Sequence, residues 1–192
     1  MRDASETRRK IQHEALRLFV DRGVGGTTTR DLAQAAGIAE GTLYRHYESK
    51  DALVWDLFST HYATFAHRLT ARASKCETFA AKLAAIVAEF CRFFDAEPVL
   101  FRFLMLAQHQ ALPRITNDSD NPVEVVQTII ATAIGRGEIP AQPTGLAATM
   151  VLGLLLQPAI GLVYGRVEPP FSQYAETIAT ACLKALGSDH HA

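Results

Sequence analysis

Seven consecutive residues, Glu40-Gly41-Thr42-Leu43-Tyr44-Arg45-His46, place carboxylate, hydroxyl, phenol, guanidinium and imidazole groups within two helical turns. Such groups read nucleic acid. Arginine pairs with guanine through two hydrogen bonds, a carboxylate accepts from cytosine N4, and a threonine methyl packs on a thymine methyl. Nothing in the chain offers chemistry of another kind. It has no glycine-rich nucleotide motif, nucleophile elbow or paired-carboxylate site. The seven histidines and three cysteines (Cys76, Cys91, Cys182) show no metal-ligand spacing. No catalytic residue, metal or cofactor is therefore expected, and recognition is the chemistry to explain.

The residues before Glu40 must position it. Thr28 followed three residues later by Asp31 resembles a capping box with Asp in place of Glu or Gln, so a helix is predicted to start there. Leu32, Ala33 and Ala36 give it a small apolar face, which lets a second helix cross closely. Gly37 falls where the chain needs a left-handed turn. Ile38 can fill the space beneath, and a second helix is predicted over residues 39–47 with Leu43 and Tyr47 inward. Glu40, Gly41, Thr42, Tyr44, Arg45 and His46 then lie on its outer surface or margins. Two short helices joined in this way can place the second in the major groove of DNA. Upstream, Ile11, Ala15, Leu18 and Phe19 form one face of an amphipathic helix, broken by Gly23, Gly25 and Gly26. Downstream, Ser49 is placed to cap a further helix.

The segment from about Thr7 to Leu53 resembles the N-terminal DNA-binding domain of the TetR family of bacterial repressors. The matching residues are Gly23, Thr28, Thr29, Asp31, Leu32, Ala33, Ala36, Gly37, Ile38, Gly41, Thr42, Leu43, Tyr44, His46, Tyr47, Lys50 and Leu53. The resemblance implies that Thr28, Thr29 and Arg30 touch the DNA backbone or an outer base. It also implies that Glu40, Gly41, Thr42, Tyr44 and His46 lie on the recognition helix, with Arg45 at its margin, and that Lys50 pairs with a phosphate. Ala39 departs from the family, standing where a capping Ser is common. Glu40 is acidic at a surface meant for DNA.

Composition is compatible with this reading without singling it out. The 192 residues are 48% hydrophobic and carry a net charge of −1. Residues 1–50 hold nine Lys/Arg against seven Asp/Glu, a net of +2, and the remainder is −3. So mild an asymmetry means affinity must come from positioned contacts in a dimer, not from a strongly basic surface. The odd cysteine count and the lack of a signal-peptide pattern lead to the expectation of a cytoplasmic protein with free thiols.

The expected fold is all-α, with about nine helices. A three-helix helix-turn-helix domain over 1–48 precedes a helical effector-binding and dimerisation domain over 49–187, with a disordered tail at 188–192. Predicted helices span about 49–73, 78–95 and 98–111, then from 122 to an end near Gly135 or Gly137, then about 144–164 and 172–186. Asn121-Pro122 and Pro169-Pro170 punctuate them. Residues 145–164 carry no charge and approach membrane-spanning length. With no second such span, they read instead as a helix buried in a dimer, and no membrane partner is expected. Tyr174, Ile178 and Cys182 add an apolar stripe on the last helix. The resemblance implies that these two helices pair with their twofold mates, so Leu156, Ile160, Val163, Tyr174, Ile178 and Cys182 are expected at a homodimer interface.

The resemblance also implies a regulatory cavity. By composition its candidate lining is His61, Phe65, Phe90, Phe94, Phe101, Met105, His109 and Gln157, suited to a small, mostly apolar or aromatic effector. Aromatics at helical spacing equally serve as plain core. The expected function is a repressor that binds a palindromic double-stranded operator as a homodimer and leaves it on binding effector. Two other readings stay open: a DNA-binding protein whose body only dimerises, and a helical enzyme or carrier with an idle head.

Overall fold

The computed structural model describes residues 4–115 and 120–188. Residues 117–119 of the expected loop and 189–192 of the expected tail lie outside them. Among the described residues there are nine α-helices and no strand. They are α1 (Ala4–Arg22), α2 (Thr29–Ala35), α3 (Glu40–His46), α4 (Lys50–Ala73), α5 (Phe79–Ala96), α6 (Pro98–Ala111), α7 (Pro122–Gly135), α8 (Thr144–Val163) and α9 (Ala175–Ala185). The helix starts follow local chemistry. Thr78 caps α5 by accepting from the Ala81 N–H, and Asn121 caps α7 by accepting from Val123, with Pro122 at the first helical position.

The chain forms two compact units. The first comprises residues 4–62 and 98–115, so it contains α1–α3, the start of α4 and all of α6. Within it α1 packs on both α6 and α2. Phe19 and Phe103 of α6 are both fully buried, and their rings stack 6.0 Å apart.

The second unit comprises residues 63–97 and 120–188. Its centre is aromatic. Phe65 stacks on Phe93 at 4.6 Å, and Phe90 and Phe94 meet the edge of Phe171 at 6.3 and 5.3 Å. Phe171 belongs to a 3-10 turn, Phe171–Tyr174, between the cis Pro169-Pro170 peptide and α9. The Asp95 carboxylate anchors that turn, accepting from the N–H groups of Phe171 (2.7 Å) and Ser172 (2.8 Å). The last helix therefore starts at Ala175 and not near Ser172 as the sequence predicts, because the intervening turn inserts a ring into the core.

Two expected interface residues face their own unit. Ile178 is 7% exposed and Cys182 is fully buried, since the inner face of α9 packs on α5 and α8. Tyr174, at the end of the 3-10 turn, is half-buried. On α8, Leu156, Ile160 and Val163 are half-buried, whereas Leu146 and Met150, and Tyr164 just beyond, are exposed. The helix is long and apolar enough to cross a membrane, yet only 28% of it is buried within this chain. Burial pushes the Cys91 thiol up to about 12, with Asp95 adding to the shift, and pushes Cys182 to about 11. Both therefore stay protonated and unreactive near neutral pH.

Among the described residues Glu89 is the one charged side chain that is buried, and it is 2% exposed. Burial raises its pKa, but hydrogen bonds from Arg92, Arg68 and Arg72 outweigh that and hold the carboxyl below the usual range. A carboxyl whose folded pKa lies below its unfolded value stabilises the fold above the unfolded pKa, near about 4.3. The contribution is lost as pH falls through the folded value. Melting temperature is therefore expected to fall as pH is lowered below about 4.5, and more gently in Glu89→Gln. Parallel melts of the two proteins between about pH 3 and 6 check this, and identical slopes would remove Glu89 as a cause.

Candidate nucleic-acid interface

The helix-turn-helix is built by short-range chemistry. The Thr28 hydroxyl accepts from the Asp31 N–H at 3.1 Å, and the Asp31 carboxylate accepts from the Thr28 N–H at 2.9 Å. This is the capping box expected from the sequence, and it satisfies two donors at the start of α2. Gly37 has φ +63, in the left-handed region. There the Ile38 N–H bonds back to the Ala33 carbonyl and that of Gly37 to Gln34, which ends α2 and turns the chain into α3. No side chain caps α3 at Ala39, as its residue type predicts. Leu43 and Tyr47 are 2% and 6% exposed, so they anchor the inner face of the recognition helix.

The outer face is as the spacing requires. Glu40, Gly41, Tyr44 and Arg45 are exposed, and Thr42 and His46 are half-buried. Thr28 and Arg30 are exposed on α2 and its cap, and Thr29 is half-buried. Tyr44 is 50% exposed, a large ring left in solvent at the centre of α3. The polar groups brace one another. Thr29 donates its hydroxyl to Glu40 (2.7 Å) and accepts from the Tyr44 hydroxyl (3.4 Å), linking α2 to α3. Arg45 donates to the Thr42 hydroxyl at 2.8 Å. Glu40 is thus held by α2 and does not stand as an isolated acid.

Lys50 has a role that its spacing did not reveal. Its ammonium donates to the carbonyls of Val24 (2.8 Å) and Thr27 (2.9 Å), tying the start of α4 to the α1–α2 turn. Thr27, missed in the sequence, completes that turn. It is fully buried, and its hydroxyl donates to the Gly23 carbonyl at 2.9 Å. A threonine between glycines and a cap gives no periodic signal, so only the fold exposes it.

Beneath the interface, Asp56 of α4 ties three elements together. It accepts from Arg8 (2.9 Å), Gln12 (3.0 Å) and the Tyr47 hydroxyl (2.8 Å). Burial raises its pKa, but bonds from Tyr47, Arg8 and Gln12 outweigh this and hold its carboxyl below the usual range. Burial and the bond to Asp56 push Tyr47 up to about 12. Asp56→Asn is expected to destabilise the first unit by about 1–3 kcal/mol at neutral pH, through loss of charge-assisted bonds. Urea unfolding measures it, and an unchanged midpoint would show the network to be idle.

The residues proposed for an effector divide between the units. His61, Phe101, Met105 and His109 belong to the first. There Phe101 is buried, His61 and Met105 are half-buried, and His109 is exposed. Phe65, Phe90, Phe94 and Gln157 belong to the second. The three phenylalanines form the packed core described above, and Gln157 is exposed on α8. The second unit also has an open cavity of about 480 Å³ between α4, α5 and α7. Ala73, Val125 and Ile129 give it an apolar lining, and His67, Lys82 and Glu124 bring charge and polarity. The sequence did not single these residues out for an effector, because they come from three helices far apart in the chain. Among the described residues no cluster of His, Cys, Asp or Glu is suited to a metal ion.

Comparison with known proteins agrees with this geometry. Residues 11–57 match the family described as bacterial regulatory proteins, tetR family. A transcriptional regulator from Mycobacterium tuberculosis is 38% identical over 101 residues, which are 53% of this chain and 50% of that one. The HTH-type transcriptional repressor KstR2 of Rhodococcus jostii is 38% identical over 78 residues, covering 36% of this chain and 38% of that one. The chain thus spans about half or less of the curated relatives it matches. The fold is shared more widely. The transcriptional regulator FadR from Bacillus subtilis, solved with stearoyl-CoA, superposes with a TM-score of 0.75 at 18% identity, covering 95% of this chain and 99% of that one. With its capped and glycine-turned reading head and its matched segment, the chain carries over residues 11–57 the N-terminal domain that defines the tetR family of bacterial regulatory proteins, and its remaining helices share the fold of the solved neighbours.

Proposed function

We propose that this protein is a cytoplasmic, ligand-responsive transcriptional repressor that binds a palindromic operator as a homodimer. The observation that carries the reading is α3, fixed from behind by Leu43 and Tyr47 and presenting Tyr44, Arg45 and Glu40 to solvent. A lone seven-residue helix reads few bases, whereas two heads about 34–36 Å apart read both halves of a palindrome. The exposed apolar residues of α8 support pairing through that helix, since a large unpaired apolar patch favours association.

The cavity between α4, α5 and α7 suits a small, mostly apolar effector, its volume falling within the usual range for ligand sites. The stearoyl-CoA of the FadR neighbour favours an acyl-bearing compound. The helix α4 runs through both units and is the natural carrier of a signal. An effector that prefers a different head separation shifts the dimer away from DNA, with a coupling of about 1–3 kcal/mol.

Selection of duplexes from a random pool by the purified protein, followed by salt titration, tests the DNA half. An enriched palindrome is the expected result, and no enrichment at low salt would remove the reading. Titration of acyl-CoAs with and without that duplex tests the effector half. The duplex should weaken acyl-CoA binding by the same factor that the acyl-CoA weakens duplex binding. Equal affinities with and without duplex would exclude the coupling.

A further inference from the structure

A second charged constellation lies in the second unit, built from residues that do not line the α4–α5–α7 cavity. Arg68 and Arg72 of α4 and Arg92 of α5 converge on Glu89. Arg68 meets one carboxylate oxygen at 2.7 Å, while Arg72 and Arg92 meet the other at 2.9 and 2.8 Å. One guanidinium is enough to neutralise one buried carboxylate, and this site holds three. Glu97 takes up a share of Arg68 at 3.0 Å, which leaves the cluster with a net charge of +1.

The three arginines are not equivalent. Arg68 spends its donors on Glu89 and Glu97, and its guanidinium also lies over the Phe93 ring at 5.5 Å. Arg72 engages Glu89 through Nε alone, and Arg92 through a single terminal nitrogen. A guanidinium carries five N–H donors, so most of those on Arg72 and Arg92 remain for something else. Both side chains are about half-exposed, 50% and 47%. Because they share one carboxylate oxygen, their bound nitrogens lie less than about 6 Å apart, within reach of a single oxyanion. The acid behind them is 2% exposed and fixes both forks before any ligand arrives. Preorganised, forked and positively charged donors match the oxygens of a phosphate.

We propose that Arg72 and Arg92, anchored by Glu89, form a binding site for the phosphate group of a phosphorylated small molecule. Glu89 is the positioning residue, and Arg68 completes its neutralisation. The site uses neither DNA contact nor the apolar cavity, so it stands whether or not the regulatory reading does.

Calorimetric titration of the intact protein with inorganic pyrophosphate, at constant ionic strength set with chloride, tests the proposal. Saturable binding with a dissociation constant below about 1 mM is expected. Arg72→Gln/Arg92→Gln keeps Arg68 on Glu89 and should weaken binding by at least about tenfold. Arg136→Gln/Lys184→Gln removes the same charge from exposed positions elsewhere in the unit and should leave binding unchanged. Arg72→Lys/Arg92→Lys retains the charge and the pairing with Glu89 but lacks the forks, so it should bind several-fold more weakly than the native protein. No saturable binding to the native protein would overturn the proposal. So would native affinity in the Arg72/Arg92 glutamine pair, which would place the anion elsewhere, or equal losses in that pair and in the Arg136/Lys184 pair, which would reduce the effect to net charge. If the Arg72/Arg92 glutamine pair fails to fold, by circular dichroism, native affinity in the arginine-to-lysine pair overturns it as well.

Discussion

Replacing Tyr44 by alanine is expected to weaken the selected palindromic duplex by roughly 100-fold and to move the melting temperature of the protein by no more than about 2 °C. The two halves of this expectation have separate causes. Tyr44 is half in solvent at the middle of α3, and its one internal bond is a 3.4 Å contact with Thr29, so the fold loses little without it. On DNA the ring would be buried against bases or sugars. A specific contact of that kind contributes about 1–1.5 kcal/mol, and a twofold dimer uses it twice, giving roughly 30- to 150-fold. Because tyrosine carries no charge, the dependence of affinity on salt should keep its slope while discrimination among sequences relaxes. Tyr44→Phe separates the ring from the hydroxyl. Gel-shift titration across several salt concentrations measures all three, and full affinity in Tyr44→Ala would mean that α3 does not read this duplex.

Phe171→Ala should be the most damaging single change in the second unit, costing about 3–5 kcal/mol and lowering the melting temperature by roughly 10–20 °C. The side chain is fully buried, and its edge contacts with Phe90 and Phe94 join the 3-10 turn to α5. The Asp95 carboxylate holds the backbone of that turn from the other side. With the turn so fixed, α9 cannot slide inward to fill the space, and a cavity that cannot collapse carries the full penalty. An apolar cavity stays dry and accepts benzene, so benzene should restore part of the loss. Calorimetry with and without benzene measures both effects, and a loss under about 1 kcal/mol would mean that the turn is not docked.

The same ring explains where reading by periodicity stopped. Phe90 and Phe94 lie one helical turn apart, and such a pair is equally consistent with a cavity wall and a core. What decides between them is the residue opposite, here Phe171, which is 77 positions from Phe94 in the chain and sits beside two prolines that look like a mere spacer. The apolar stripe of α9 met the same limit. Ile178 and Cys182 have the spacing of an interface, but helical spacing names a face without naming its partner, and α5 of the same chain takes it.

The helices and the reading head are legible from residue types alone, because they depend on neighbours within a few positions. A threonine caps the residue three ahead, a glycine admits a left-handed turn, and Leu43 and Tyr47 select the inner face of α3. The roles of Lys50, Asp56, Glu89 and Phe171 emerge from long-range packing. Each acts on groups far away in the chain: the Val24 carbonyl for Lys50, Arg8 for Asp56, Arg68 for Glu89 and Phe90 for Phe171. Which distant groups meet is set by how whole helices pack, and no short-range pattern of residue types records that.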